Sequence, residues 1–412
     1  MLERTCPDHG FHEACIASDA RFHWLSLGSD ANRCGSSCGC GPSATLGKNA
    51  AGRAAGPFEV LSTCLALIEI VHSCNLACPT CYANSPRPHD GAVDAVPLSD
   101  IQSRIEGVIA RKGKIEILQL SGGEPTLHPD LFELLAWARE HSGIDYLLIN
   151  TNGVKLARDP SFAAALGKLF TKGGLQIYLQ FDGIQEPGQQ ALRGTDLRTL
   201  KAQALANCAA ANLPVTLAMT VTPDNLPGLW ETIQFGLRHP HIHGITLQPV
   251  FGSGRGEPAP ASHRLNTADL IIAAVEQSTG SLTYADFTPL PCGDPNCATL
   301  GYLFRLPDGT LRPISEFLDF ARLQGFLQDK IHYTLADLAQ CGCENEPLGK
   351  LLHDLEIGSS HTFRIMIKPF MDAWTWDEDR IDRCCTHVIR PDGKLDSFCR
   401  YYSQFPDTLP PP

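Results

Sequence analysis

The chain has 412 residues, of which 43% are hydrophobic and 19% charged, and its formal net charge at pH 7 is −12. That length and composition support a full hydrophobic core without staples, and the acidic balance, offset by no Lys/Arg run, excludes nucleic acid or an anionic membrane as the main partner. No stretch approaches the roughly 18 consecutive apolar residues of a spanning helix, and the amino terminus MLERTCPDHG has no apolar leader, so a cytoplasmic protein with no transmembrane segment is expected.

Residues 1–63 are rich in Gly, Ala, Ser and Cys without a sustained period and read as a segment held by ligands, with 41–57 a flexible connector. Residues 64–250 alternate strands and helices. Leu65–Val71 is a short, branched apolar run, read as a buried strand. Helical spacing follows at Ile101, Ile105, Val108 and Ile109, with Ser99 or Asp100 as N-cap. The pattern continues as strand Ile115–Leu120, helix Asp130–Glu140, strand Tyr146–Asn150, helix Ser161–Phe170 and strand Leu175–Phe181. Helix Leu197–Ala211, strand Val215–Val221, helix Leu229–Arg238 and strand Gly244–Pro249 complete it. Strands alternating with helices in this way predict right-handed βαβ units, a parallel sheet and an α/β fold, either doubly wound or a partial barrel. Residues 251–412 open on the Gly/Pro-rich FGSGRGEPAPASH and a helix near Ala268–Gln277, and read as a separate carboxy-terminal module.

The sequence contains 17 cysteines. A reducing compartment rarely supports disulfides, so clustered thiols there read as metal ligands or catalytic groups. The sharpest cluster is Cys74-Asn-Leu-Ala-Cys78-Pro-Thr-Cys81-Tyr82, directly after the first strand, at the end where parallel sheets place their sites. Three thiolates so spaced can hold an iron–sulfur cubane and leave one iron open, which would let that iron chelate a ligand. The plainer readings of an isolated triad are a zinc knuckle or an ordinary cluster with a distant fourth cysteine. Ser121-Gly122-Gly123-Glu124-Pro125 closes the second strand; its glycines let backbone approach a ligand, and its carbonyls can receive an ammonium. On its own it would be a strand-ending turn.

Together these motifs resemble the signature of the radical S-adenosylmethionine superfamily, across roughly residues 64–250. The resemblance implies a partial (βα)6 barrel, a [4Fe–4S] cluster on Cys74, Cys78 and Cys81 with an open iron site, and S-adenosyl-L-methionine beside it. Tyr82 stands next to the third cysteine, and Ser121, Gly122, Gly123 and Glu124 would contact the amino group of that cofactor. Asn152, Gln180 and Asp182, Thr220 and Gln248 end the later strands, where the superfamily meets the rest of the ligand, and Arg193 would face its carboxylate. Each of these alone is more often a cap or turn residue.

The flanks resemble the group typified by tetraether lipid synthase and pterin-dependent radical methyltransferases. That likeness implies an auxiliary [4Fe–4S] cluster on Cys34, Cys38, Cys40 and Cys64. A second would take Cys292, Cys297, Cys399 and one of Cys384 or Cys385, or else those ligands hold zinc. Cys6-Pro-Asp-His-Gly10 looks like the second half of the group's rubredoxin-like knuckle without the first, so no mononuclear iron is expected there. The vicinal pair in Arg383-Cys384-Cys385-Thr-His387 also resembles a segment of the radical enzyme of arsinothricin biosynthesis, which implies a soft site for trivalent arsenic; the plainer reading is one ligand and one core thiol. Cys341 and Cys343 carry no assigned role, Cys208 reads as core, and His72, His89 and His128 as loop residues without an evident partner.

The function expected from this resemblance is reductive cleavage of S-adenosylmethionine, with an electron from a donor such as flavodoxin or ferredoxin. Its outcome would be C–C bond formation or alkylation of a small-molecule or lipid substrate. Two alternatives stand beside it: transfer of a 3-amino-3-carboxypropyl group to trivalent arsenic, and a non-enzymatic iron–sulfur or zinc electron carrier. The Gly-Gly-Glu segment argues against the carrier, which needs no cofactor pocket.

Overall fold

The structure is a computed structural model that describes residues 1–8, 10–24, 63–256, 264–290, 293–306, 308–317 and 362–403. A short antiparallel hairpin, β1 (Leu2–Cys6) and β2 (Gly10–Ala14), precedes the main sheet. The sheet is built from β3 (Leu65–Val71), β4 (Ile115–Gly122), β5 (Ile144–Thr151), β6 (Leu175–Gln180), β7 (Val215–Val221) and β8 (Ile242–Pro249), in that spatial order and all parallel. These are the six strands expected from the apolar runs, with ends shifted by a residue or two.

The shifts have local causes. Strand β6 stops at Gln180 because the N–H groups of Phe181 and Asp182 both turn onto the carbonyl of Ala218, at 2.7 and 3.2 Å, and Asp182 takes a left-handed φ of 65°. The first barrel helix, Leu98–Lys112, starts earlier than expected. Pro97 caps it, its carbonyl accepting from the N–H of Asp100 and Ile101 at 3.0 and 3.1 Å. Asp100 therefore lies in the first turn, where it pairs with Arg104. An additional helix, Glu186–Arg193, was concealed by Pro187 and Gly188; proline is tolerated in the first turn, where the N–H is unpaired anyway.

The larger departure lies after residue 250. Small strands β9 (Thr288–Pro289), β10 (Thr299–Arg305) and β11 (Leu311–Pro313) lead to β12 (Thr362–Ile367), which pairs parallel with β8; β13 (Thr386–Ile389) pairs parallel with β3 and antiparallel with β14 (Leu395–Ser397). The expected separate module is thus part of the same sheet, which carries eight parallel strands from β12 through β8–β3 to β13. Side chains alternate across each strand. Phe363, Ile365 and Ile367 of β12 enter the same apolar core as Leu118, Ile149, Ile177 and Leu217. Its other face turns Arg364 and Met366 into the lumen. Where the two outer parallel strands approach, the Lys368 ammonium donates to Thr386 Oγ1 at 2.7 Å. The architecture is an open α/β barrel of the partial TIM type. Among the described residues no helix is long and apolar enough to cross a membrane.

Because Phe363 is fully buried in that common core, Phe363→Ala should lower unfolding free energy by about 3–5 kcal/mol. Denaturant unfolding followed by far-UV circular dichroism should show this as one shifted transition. A separate early step, with the rest of the barrel unmoved, would restore the independent module.

Candidate active site

The mouth of the lumen lies at the carboxyl ends of the strands, and the loop leaving β3 covers part of it. Cys74, Cys78 and Cys81 are free thiols on this loop and line the cavity. The backbone holds the loop in place: Cys74 N–H donates to Pro86 O at 2.8 Å, and Asn84 N–H to Cys81 O at 3.1 Å. The strongest clamp comes from the segment expected to be a linker. Arg255 donates its backbone N–H to Cys81 O and its guanidinium to Cys78 O and Ser85 O, each at 3.0 Å. Gly254 makes this approach possible. It has φ +57°, and a Cβ there would sit 2.3 Å from Cys81 O and 2.4 Å from Tyr82 O. Burial pushes the Cys74 thiol up to about 12.

Gly122 and Gly123 also line the cavity, and the close approach that they permit is first of all to the chain itself. A Cβ at Gly122 would lie 2.1 Å from Val71 O, and one at Gly123 2.1 Å from Ser73 O. Gly123 N–H donates to Val71 O at 2.7 Å and Glu124 N–H to Ser73 O at 3.0 Å, locking the end of β4 against the backbone beside Cys74.

A set of buried polar groups then ties each strand end to the next. The Glu124 carboxylate accepts from Thr126 N–H (3.2 Å), Thr126 Oγ1 (2.6 Å), Thr151 Oγ1 (2.7 Å) and Asn152 N–H (2.8 Å). Asn152 donates from Nδ2 to Asn75 Oδ1 at 2.6 Å, which couples β5 to the cysteine loop. Lys201, only 1% exposed, donates to the carbonyls of Asn152 (2.8 Å) and Gln180; burial lowers its pKa to about 8. Asp182 is fully buried and paired twice with Arg193, at 2.6 and 2.8 Å, and it accepts from Thr220 N–H at 3.1 Å. Burial works against its charge, yet the guanidinium holds its carboxyl below the usual carboxylate range.

Of the residues expected at the site, Cys74, Cys78, Cys81, Tyr82, Gly122, Gly123, Glu124, Asn152, Gln180, Arg193, Thr220 and Gln248 line one cavity. Ser121 and Asp182 do not. Both are fully buried behind its wall, Ser121 accepting from Asn150 Nδ2 at 3.1 Å and Asp182 facing Arg193. Arg193 reaches the cavity with its charge already matched by Asp182. Gln248 donates to Tyr178 Oη at 3.0 Å. Tyr82 packs edge-on to Tyr402 with ring centroids 4.7 Å apart, beside Phe398 and Phe251. Sequence reasoning missed Lys201 and Arg255. For Lys201 there was a signal, because it shares a helical face with Ala204, Leu205 and Cys208, all buried. Arg255 binds distant backbone carbonyls, which no local pattern records.

A second thiol group lies beyond Lys368. Cys384 and Cys385 interact electrostatically with Cys297, and Cys384 also with Cys399; burial pushes Cys385 and Cys399 up to about 11 and Cys384 well above its ordinary value. Arg380 sits against Cys297 and donates to Pro369 O at 3.1 Å and Asn296 O at 3.3 Å. Cys34, Cys38, Cys40, Cys292, Cys341 and Cys343 lie outside the described residues. Cys64 is buried and disulfide-bonded. No three His, Cys, Asp or Glu side chains among the described residues close to the spacing of a single metal ion.

Histidine 387 does not complete a soft site with Cys384 and Cys385. Thr386 lines the lumen, so its neighbour on β13 faces the other way; His387 is fully buried there, Nδ1 lying 3.2 Å from Thr63 Oγ1. His128 likewise has partners: Nε2 meets Val96 O at 2.8 Å, and Nδ1 accepts from Asp130 N–H at 3.1 Å. Cys208 is core, as expected.

This cavity, with three thiols of one loop beside the ends of a parallel barrel, coincides with a recognised domain: residues 68–236 match the Radical SAM superfamily. The chain carries a radical S-adenosylmethionine domain, and the superfamily uses a [4Fe–4S] cluster and S-adenosylmethionine. Among curated relatives, the chain is 28% identical to 7,8-dihydro-6-hydroxymethylpterin dimethyltransferase of Methanocaldococcus jannaschii, over 97% of this chain and 88% of that one. It is 30% identical to mycofactocin maturase MftC of Mycobacterium tuberculosis H37Rv, over 46% of this chain and 45% of that one. Among solved structures, Streptococcus suis SuiB bound to S-adenosylmethionine aligns with a TM-score of 0.43 and 16% identity, covering 54% of this chain and 48% of that one.

Two outcomes follow from the geometry. Gly254→Ala should force the Arg255 segment off the cysteine loop and at least halve the iron bound after anaerobic reconstitution, while far-UV circular dichroism stays native. His387, held down to about pH 3 by burial, binds a proton below its ordinary value of about 6.5 only when unfolded. Stability should therefore fall as pH drops from 6.5 toward 3, and His387→Gln should flatten that slope by up to about 1.4 kcal/mol per pH unit. Matched denaturant titrations of the two proteins check the difference.

Proposed function

We propose that Cys74, Cys78 and Cys81 hold a [4Fe–4S] cluster with one iron free of protein ligands and that the cavity beside them seats S-adenosylmethionine. Its reductive cleavage would drive C–C bond formation or alkylation of a small-molecule or lipid substrate. The observation carrying this reading is that three free thiols of one loop open onto the same cavity as the ends of β4 to β8. Such a cluster, once reduced, supplies the electron that breaks a sulfonium bond. The donor set fits it: three thiols, no carboxylate offered to iron, and Glu124 fully engaged by its four hydrogen bonds.

The chain's own residues orient and enclose. Gly122 and Gly123 keep the end of β4 free of side chains beside the thiols, and Asn152, Gln180, Thr220 and Gln248 present polar groups from successive strand ends. Tyr82 and the aromatic rings around it close the side next to Cys81. Alkyl transfer is favoured because a relative similar over nearly the whole chain is a dimethyltransferase. The thiols of Cys292, Cys297, Cys399 and one of Cys384 or Cys385 would serve one auxiliary cluster, and Cys34, Cys38 and Cys40, with Cys64 once its disulfide is reduced, another. A flavodoxin or ferredoxin would supply the electron.

The test is anaerobic reconstitution with iron and sulfide, then reduction with S-adenosylmethionine present. About twelve irons per chain are expected; about four would remove both auxiliary clusters. Release of 5′-deoxyadenosine, lost to background in Cys78→Ser, supports the proposal. Methylthioadenosine would instead indicate 3-amino-3-carboxypropyl transfer, and neither product would leave an electron carrier.

A further inference from the structure

Below the mouth, the lumen has two unlike walls. Leu67, Ile117 and Leu148 of β3–β5 make one wall mainly apolar, with Gln119 its polar residue, whereas Tyr178, Thr216 and Arg364 of β6, β7 and β12 line the other. The polar residues share one register row: Tyr178 pairs with Thr216, Thr216 with Gly244, and Gly244 with Arg364. Gly244 is what lets β12 lie so close. A Cβ there would stand 3.1 Å from Arg364 Cβ and 2.4 Å from Arg364 O. The row therefore has a gap between a cation and a hydroxyl.

Among the described residues the hydroxyl lacks a hydrogen-bond partner and the cation lacks a carboxylate. Thr216 is 2% exposed, and its Oγ1 has no hydrogen-bond partner among the described residues. A buried hydroxyl left so is costly unless a ligand supplies the partner. No carboxylate among the described residues pairs with Arg364. The cavity's one acidic side chain, Glu124, spends both oxygens on Thr126, Thr151 and Asn152, and Arg193 is matched by Asp182. Nearer the mouth, just past the end of the same strand, Lys368 adds a second cation whose one hydrogen bond among the described residues is to the neutral Thr386.

We infer that the lumen contains an oxyanion subsite, in which Arg364 and Thr216 bind a carboxylate or phosphate group of the substrate while its apolar part lies against the β3–β5 wall. Resting on the reading of this cavity as a radical S-adenosylmethionine site, the inference adds the substrate's chemical class: a small amphipathic anion. Guanidinium and hydroxyl donors suit either anion, and the planar guanidinium can bind one with two hydrogen bonds.

Isothermal titration of the anaerobically reconstituted full chain with benzoate, phenyl phosphate and neutral benzamide tests this. At least one anion should bind tenfold or more tighter than benzamide, and the tighter of the two names the group. Arg364→Gln should lose tenfold or more of that affinity, Arg364→Lys should recover part of it, and Thr216→Val, nearly isosteric, should lose a few-fold. Equal weak binding of all three probes, or wild-type affinity in both Arg364→Gln and Thr216→Val, overturns the subsite. If Arg364→Gln fails to fold, Thr216→Val alone decides. The two readings fail separately. Anion binding through Arg364 without any cleavage of S-adenosylmethionine refutes the proposed function only; cleavage without anion preference refutes the subsite only.

Discussion

A parallel barrel that opens at its mouth must satisfy backbone groups that the ladders no longer reach, and here buried charges do it. Glu124 joins β4 to β5, Lys201 joins β5 to β6, and Asp182 with Arg193 joins β6 to β7. Two anions and two cations share this ring, so each lies near an opposite charge and none needs bulk water. The Lys201 shift shows the balance: burial lowers it most, Asp182 and Glu124 oppose that, and Arg193 adds to it. Removing one member of a buried pair strands the other, at a typical cost of about 3–5 kcal/mol. The ring is therefore a scaffold for the cavity, and two residues that look like ligand contacts from strand-end position, Ser121 and Asp182, belong to the wall.

On that frame the cysteine loop is fixed by contacts from both ends of the barrel. Gly123 brings β4 against Ser73, just ahead of Cys74. Gly254 and Arg255, at the far end of β8, hold Cys78 and Cys81 by their carbonyls. The clamps act on backbone carbonyls and leave the sulfurs lighter contacts: Cys74 Sγ accepts from Leu76 N–H at 3.4 Å and from Asn152 Nδ2 at 3.8 Å, and Cys78 meets the Arg193 side chain. Rigidity without consuming the donors is what a site for an added inorganic group requires.

What was legible in the sequence follows from how local its cause is. The six central strands are apolar runs separated by amphipathic helices, and their existence survives a shift of one or two residues at each end. The triad is legible because its spacing lies within eight residues of one loop. Strand β12 was not, because Arg364 and, just past the strand's end, Lys368 put charges on the face opposite Phe363, Ile365 and Ile367, and these read as solvent-facing unless a lumen is already known to be there. Strand β13 is only four residues long and carries a buried histidine. Arg255 and the second role of the glycine pair were hidden for another reason: their partners are backbone carbonyls that any sequence would supply.

Strand β12 changes how the whole molecule is divided. Its outward residues complete the core, its inward Arg364 sets the charge of the lumen, and Lys368 just past its end contacts Thr386 across the gap between the outer parallel strands. The same ammonium acts on Cys384, Cys385 and Cys399, lowering the pKa of each against the larger effect of burial. One side chain thus stands between the cavity and the second thiol group. The carboxy-terminal residues are therefore a wall of the barrel, with the cavity on one side and the second thiol group on the other.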